Sequence, residues 1–111
     1  MGTSTVAARV SRLAERTADA YSWDNYEGYR WKAAIAMLIR RGYSDMEVEA
    51  ILRSKWTRWA GDMASNRTGW RHGRTNSADL ARFLDTMPPD ERAREVAALV
   101  AGTFPGVAHG A

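Results

Sequence analysis

The sequence predicts an all-α fold, a single small domain of five to six helices. Three observations carry this. Apolar residues recur at three- and four-residue intervals through most of the 111 residues, no stretch alternates in the manner of a strand, and helix stop and start signals punctuate the chain. The length suits one domain with a modest core, placed at residues 1–102, with a tail over 103–111 that is expected to be poorly ordered. A homodimer stays compatible with this size.

The first helix is read from Thr5 to about Tyr21, where Val6, Val10, Leu13, Thr17 and Tyr21 form an apolar stripe with arginines and Glu15 between them. A second helix, from about Asn25 to Arg41, carries Trp31, Ile35 and Leu38 on one side and Ala34 and Met37 beside them; so much of its circumference is apolar that it should be the central one. Arg40-Arg41-Gly42 ends it, with cations in the last turn followed by a C′ glycine. Ser44-Asp45-Met46-Glu47 then spells a capping box, and Tyr43 and Val48 occupy the hydrophobic-staple positions around it.

Two geometries stay open beyond this start. A continuous helix to about Ala64 would align Val48, Ile51, Leu52, Trp56, Trp59 and Met63 in one stripe, with Lys55 caught inside it. A break near Ser54 would reset the phase, burying Trp56, Trp59, Ala60 and Met63 and leaving Lys55, Arg58 and Asp62 outside. Residues 66–75, NRTGWRHGRT, read as a loop. Asn76 or Ser77 caps a short helix to about Asp85 with Leu80, Phe83 and Leu84 inward, and Pro88-Pro89-Asp90-Glu91 opens a last helix that ends at Gly102.

Composition sets limits on function. With 45% hydrophobic and 26% charged residues the chain reads as a folded globular protein. It has no cysteine, which removes disulfides, thiolate catalysis and Cys-based zinc sites and fits a reducing cytoplasm. Arginines at 9, 12 and 16 interrupt any apolar signal core, and no run approaches the roughly 18 apolar residues of a membrane span, so no membrane role is expected. Asn66-Arg67-Thr68 matches the glycosylation triplet by chance on this reading.

Residues 53–74, RSKWTRWAGDMASNRTGWRHGR, stand apart. They hold six Lys/Arg against one Asp, while residues 1–52 balance at seven against seven and residues 75–111 carry three against five, so the whole-chain charge of +3 originates here. Guanidinium groups suit phosphate oxygens, and cations neutralising phosphates release condensed counterions. The same groups could equally form a solvated surface with local pairs, as for Arg58 and Asp62 four residues apart. Trp56 and Trp59 belong by spacing to the core. Trp70, between Gly69 and Arg71, has no periodic apolar neighbours and suits base stacking or a protein anchor. His72 and His109 lack the company a metal site needs, no nucleophile motif or phosphate-binding glycine loop occurs, and neither cofactor nor enzymatic activity is expected.

Within this region GYSDMEVEAILRSKWTRW resembles a helix-turn-helix unit, a resemblance that would make Lys55, Thr57 and Arg58 the groove-facing residues. Over residues 26–86 the run RGYSDMEVEAILRSKWTRWAGD, the basic loop and DLARFLD resemble small uncharacterised proteins encoded by tailed phages of actinobacteria, which implies action in a host cytoplasm and assigns no residue a role. The expectation is therefore a small nucleic-acid-binding protein, with duplex DNA the favoured ligand and Arg53, Lys55, Thr57, Arg58, Arg67, Trp70, Arg71 and Arg74 at the interface. The alternative is a protein-binding module, such as a phage factor that modulates a host protein.

Overall fold

The structure, a computed structural model, describes residues 5–20, 29–57 and 77–106. Within them it is all-helical, with five helices: α1 (Val6–Arg16), α2 (Tyr29–Arg40), α3 (Asp45–Leu52), α4 (Ser77–Asp85) and α5 (Pro89–Thr103). A further helical turn covers residues 55–57. No described helix is long and apolar enough to cross a membrane.

α2 is the hub that its composition predicts. It packs on α1, α3 and α4, and it buries Trp31, Ala34, Ile35, Leu38 and Ile39. Leu13 of α1, Val48 and Ile51 of α3, Leu80 and Leu84 of α4 and Val96 of α5 close the same core around it. The stop after α2 is a Schellman motif: the Gly42 N–H donates to the Ile39 carbonyl and the Tyr43 N–H to the Leu38 carbonyl, with Gly42 at φ 98°. A side chain there would be strained, which is why the sequence places glycine at the position. The capping box is also in place, with Ser44 Oγ accepting from the Glu47 N–H at 3.2 Å and Glu47 Oε1 accepting from the Ser44 N–H at 2.8 Å.

α1 ends earlier than its stripe suggests. Thr17 leaves helical geometry, its hydroxyl donating to the Leu13 carbonyl at 2.7 Å while accepting from Trp31 Nε1 at 2.7 Å. Both groups are buried, so the bond satisfies the one polar atom that α2's large indole brings into the core. The turn at 17–20 follows, and Tyr21 lies outside the described residues. α5 runs one residue past Gly102, and Phe104 is tied back through its N–H to the Val100 carbonyl, so the order reaches into the stretch expected to be a loose tail. Residues 107–111 are outside the description.

Of the two geometries open after the capping box, the break at Ser54 is the one adopted. In a continuous helix the Ile51 carbonyl would accept from the Lys55 N–H. Here it accepts instead from the Ser54 N–H at 3.1 Å, Ser54 Oγ at 2.6 Å and Thr57 Oγ1 at 2.8 Å, and Ser54 Oγ in turn accepts from the Trp56 N–H. Two hydroxyls thus replace the helical amide and let the chain turn. Only Arg53 and Ser54 join α3 to the next helical turn, a connection shorter than the roughly three to four residues of a regular helix-turn-helix.

Candidate nucleic-acid interface

The positions of the cations follow from how α1 lies on α3. Arg9, Arg12 and Arg16 recur at three and four residues along α1, and Asp45, Glu49 and Arg53 recur at four along α3, so each period presents a charged row to the other helix. Arg9 Nε donates to Asp45 Oδ1 at 2.8 Å and Arg12 to Asp45 Oδ2 at 3.2 Å. Arg16 donates to Glu49 Oε1 at 2.9 Å, and Arg53 takes the second oxygen of Glu49 at 3.2 Å. Arg53 also forks onto both oxygens of Asp19 at 3.1 Å and donates to the Arg16 carbonyl at 2.8 Å. The Glu49 side chain is only 8% exposed, so its charge is tolerated because two guanidiniums hold it.

These contacts set the acidities. Burial pushes the Asp45 carboxyl up, but the hydrogen bonds from Arg9 and Arg12 outweigh it and hold the group below the usual carboxylate value. The hydrogen bond from Arg53 lowers Asp19, and that from Arg41 lowers Asp85.

Two of the residues expected at the interface have side chains engaged within the fold. Arg53 is neutralised by Asp19 and Glu49 and acts as the clasp between α3 and the end of α1. Thr57 is 4% exposed, and its hydroxyl is committed to Ile51, so it serves the chain break and not a groove. Lys55, by contrast, is exposed and forms no ion pair among the described residues. Trp56 is half-buried, its ring meeting Phe83 edge-on with centroids 5.6 Å apart, as core packing at its spacing requires. Arg58, Arg67, Trp70, Arg71 and Arg74 lie outside the described residues.

The remaining cations sort by helix. Arg41 pairs with Asp85 at 2.7 Å, and Arg92 approaches the same carboxylate at 3.6 Å, at the edge of a cleft of about 450 Å³ that also borders Tyr43 and Glu47. Two guanidiniums and two carboxylates leave that cleft without net charge. Arg94 on α5 sits in sequence among Asp90, Glu91 and Glu95, all exposed. α2 differs: Arg30, Lys32 and Arg40 are exposed, none forms an ion pair among the described residues, and the helix holds no acid. The balanced total over residues 1–52 conceals this group, whereas charge counted helix by helix would have found it.

The chain matches no protein-family model, no curated protein and no solved structure. Its functional reading therefore rests on its own residues.

Proposed function

We propose that the protein binds nucleic acid, in the form of duplex DNA, through the helical segment that opens at Lys55 and the basic stretch at 66–75. The observation that carries this reading is the fate of the nearby carboxylates. Asp19 and Glu49 beside the chain break are already engaged by Arg16 and Arg53. With Arg53 set aside, residues 54–74 retain five Lys/Arg against Asp62 alone. Phosphate oxygens are the complement of such an excess, and Lys55, Arg58, Arg67, Arg71 and Arg74 are the contacts assigned to them, with Trp70 assigned to stacking.

Binding of a labelled duplex should weaken steeply as salt rises, since each neutralised phosphate contributes about 0.9 to the slope of log affinity against log salt. Arg71→Glu combined with Arg74→Glu should abolish it. Affinity indifferent to both salt and charge reversal removes the proposal and favours a protein-binding module anchored by Trp70, which co-purification with and without Trp70→Ala would then probe.

A further inference from the structure

We infer that the exposed side of α2 is a second polyanion-contact surface, on which Arg30, Lys32 and Arg40 grip the phosphate backbone of duplex DNA. This rests on the nucleic-acid reading above but uses different residues. Successive helical residues turn by about 100°, which sets Arg40 near the middle of the exposed side, Arg30 and Lys32 at its two flanks roughly two to three turns earlier, and Ala33 and Ala36 between them. From Arg30 or Lys32 to Arg40 the rise along the axis is roughly 12–15 Å. That span is comparable with the width of the major groove, about 12 Å, across which two phosphate rows face each other.

Three features point to a backbone contact. Among the described residues the cations are not committed: all three side chains are exposed, and no described carboxylate pairs with them. The platform is fixed, because the opposite side of the same helix holds Trp31, Ile35 and Leu38 at 2%, 0% and 0% exposure in the core. The ground between the cations is low, since an exposed Ala33 and a half-buried Ala36 let a rod of phosphates approach the helix closely. The same low ground argues against a lipid surface. An interfacial helix inserts large apolar side chains, and the exposed large apolar residues among those described are Val6 and Met46, neither of them on α2.

The test uses the full chain and a fluorescein-labelled duplex of about two helical turns, read by anisotropy between roughly 50 and 200 mM salt. The variant Arg30→Gln/Lys32→Gln/Arg40→Gln should keep the parental circular dichroism and melting temperature, bind more weakly, and show a salt slope shallower by about 0.9 for each lost contact. Parental affinity and slope in this variant overturn the inference. If Arg71→Glu/Arg74→Glu alone abolishes binding, the loop reading stands without α2; if only the α2 variant loses binding, the α2 surface stands and the loop reading fails. No duplex binding by the parental chain at the lowest salt overturns both, and stronger binding to phosphatidylserine vesicles than to the duplex overturns DNA as the occupant.

Discussion

The α1–α3 seam and the exposed side of α2 are both rich in arginine, yet their cations meet different fates. On the seam, Arg9, Arg12, Arg16 and Arg53 are all held by Asp45, Glu49 and Asp19, and the charges become structural. On α2, Arg30, Lys32 and Arg40 face solvent with no described carboxylate, and the charges remain available. The lesson is that a cation's sequence neighbourhood does not report its potential. Arg53 opens the most basic stretch of the chain and is neutral in effect, while the α2 cations come from a half of the sequence whose totals cancel.

The largest expected break in this contrast is Glu49→Ala. It removes the buried carboxylate that joins Arg16 to Arg53, leaving Arg16 without its described acidic partner and Arg53 with Asp19 as its remaining one. Breaking a buried pair typically costs 3–5 kcal/mol; because Arg16 is more than half exposed and can rehydrate, about 2–3 kcal/mol is expected here. Urea unfolding measures it, and a loss below about 0.5 kcal/mol would mean the seam is ornamental.

Thr17→Val comes next and separates charge from polarity at the same helix. It leaves the Trp31 indole N–H buried without its acceptor, at an expected cost of about 1–2 kcal/mol. Neither partner carries charge, so the cost should be the same in low and high salt. A strongly salt-dependent value would show that Thr17 acts through the ion pairs around it.

How much of this could be read in advance follows from the range of each interaction. The Gly42 stop, the Ser44 capping box and the Trp31, Ile35, Leu38 stripe are set by residues within one or two turns of each other, and the sequence spells all three. The pairing of Arg16 with Glu49 spans 33 residues and depends on how two helices cross, which no local pattern states; only the matching periods of the two charged rows hinted at it. Thr57 was misplaced for a related reason. The helix-turn-helix resemblance set it facing a groove, but its hydroxyl donates to the Ile51 carbonyl where the helix breaks. The site expected on residues 58–74 lies beyond the described residues.

Acid sharpens the contrast further. Asp45 carries a lowered carboxyl value, so between its folded and unfolded values, the latter near 3.9, the unfolded chain binds more protons than the folded one. Its stabilisation is present above the unfolded value and is lost as pH falls through the folded one. Asp45→Asn should therefore be less stable than the parental protein at neutral pH, by under about 1 kcal/mol for so exposed a pair, with the gap closing as the solution is acidified. A gap that stays constant down to strong acid would assign the loss to packing or capping instead of to the Arg9 and Arg12 contacts.

The smallest effect is expected on α2, and its smallness is informative. Lys32→Gln with Arg40→Gln removes as many positive charges as Asp45 binds on the seam, but no described carboxylate loses a partner and no core contact is touched. Thermal unfolding should shift by no more than about 0.5 kcal/mol, in either direction, with a slight gain at low salt if the net positive field of the protein is relieved. Selection for folding alone would be indifferent to these two side chains. A loss above about 1 kcal/mol would instead mean that α2's outward side is occupied within the protein, leaving no free surface there for a polyanion to meet.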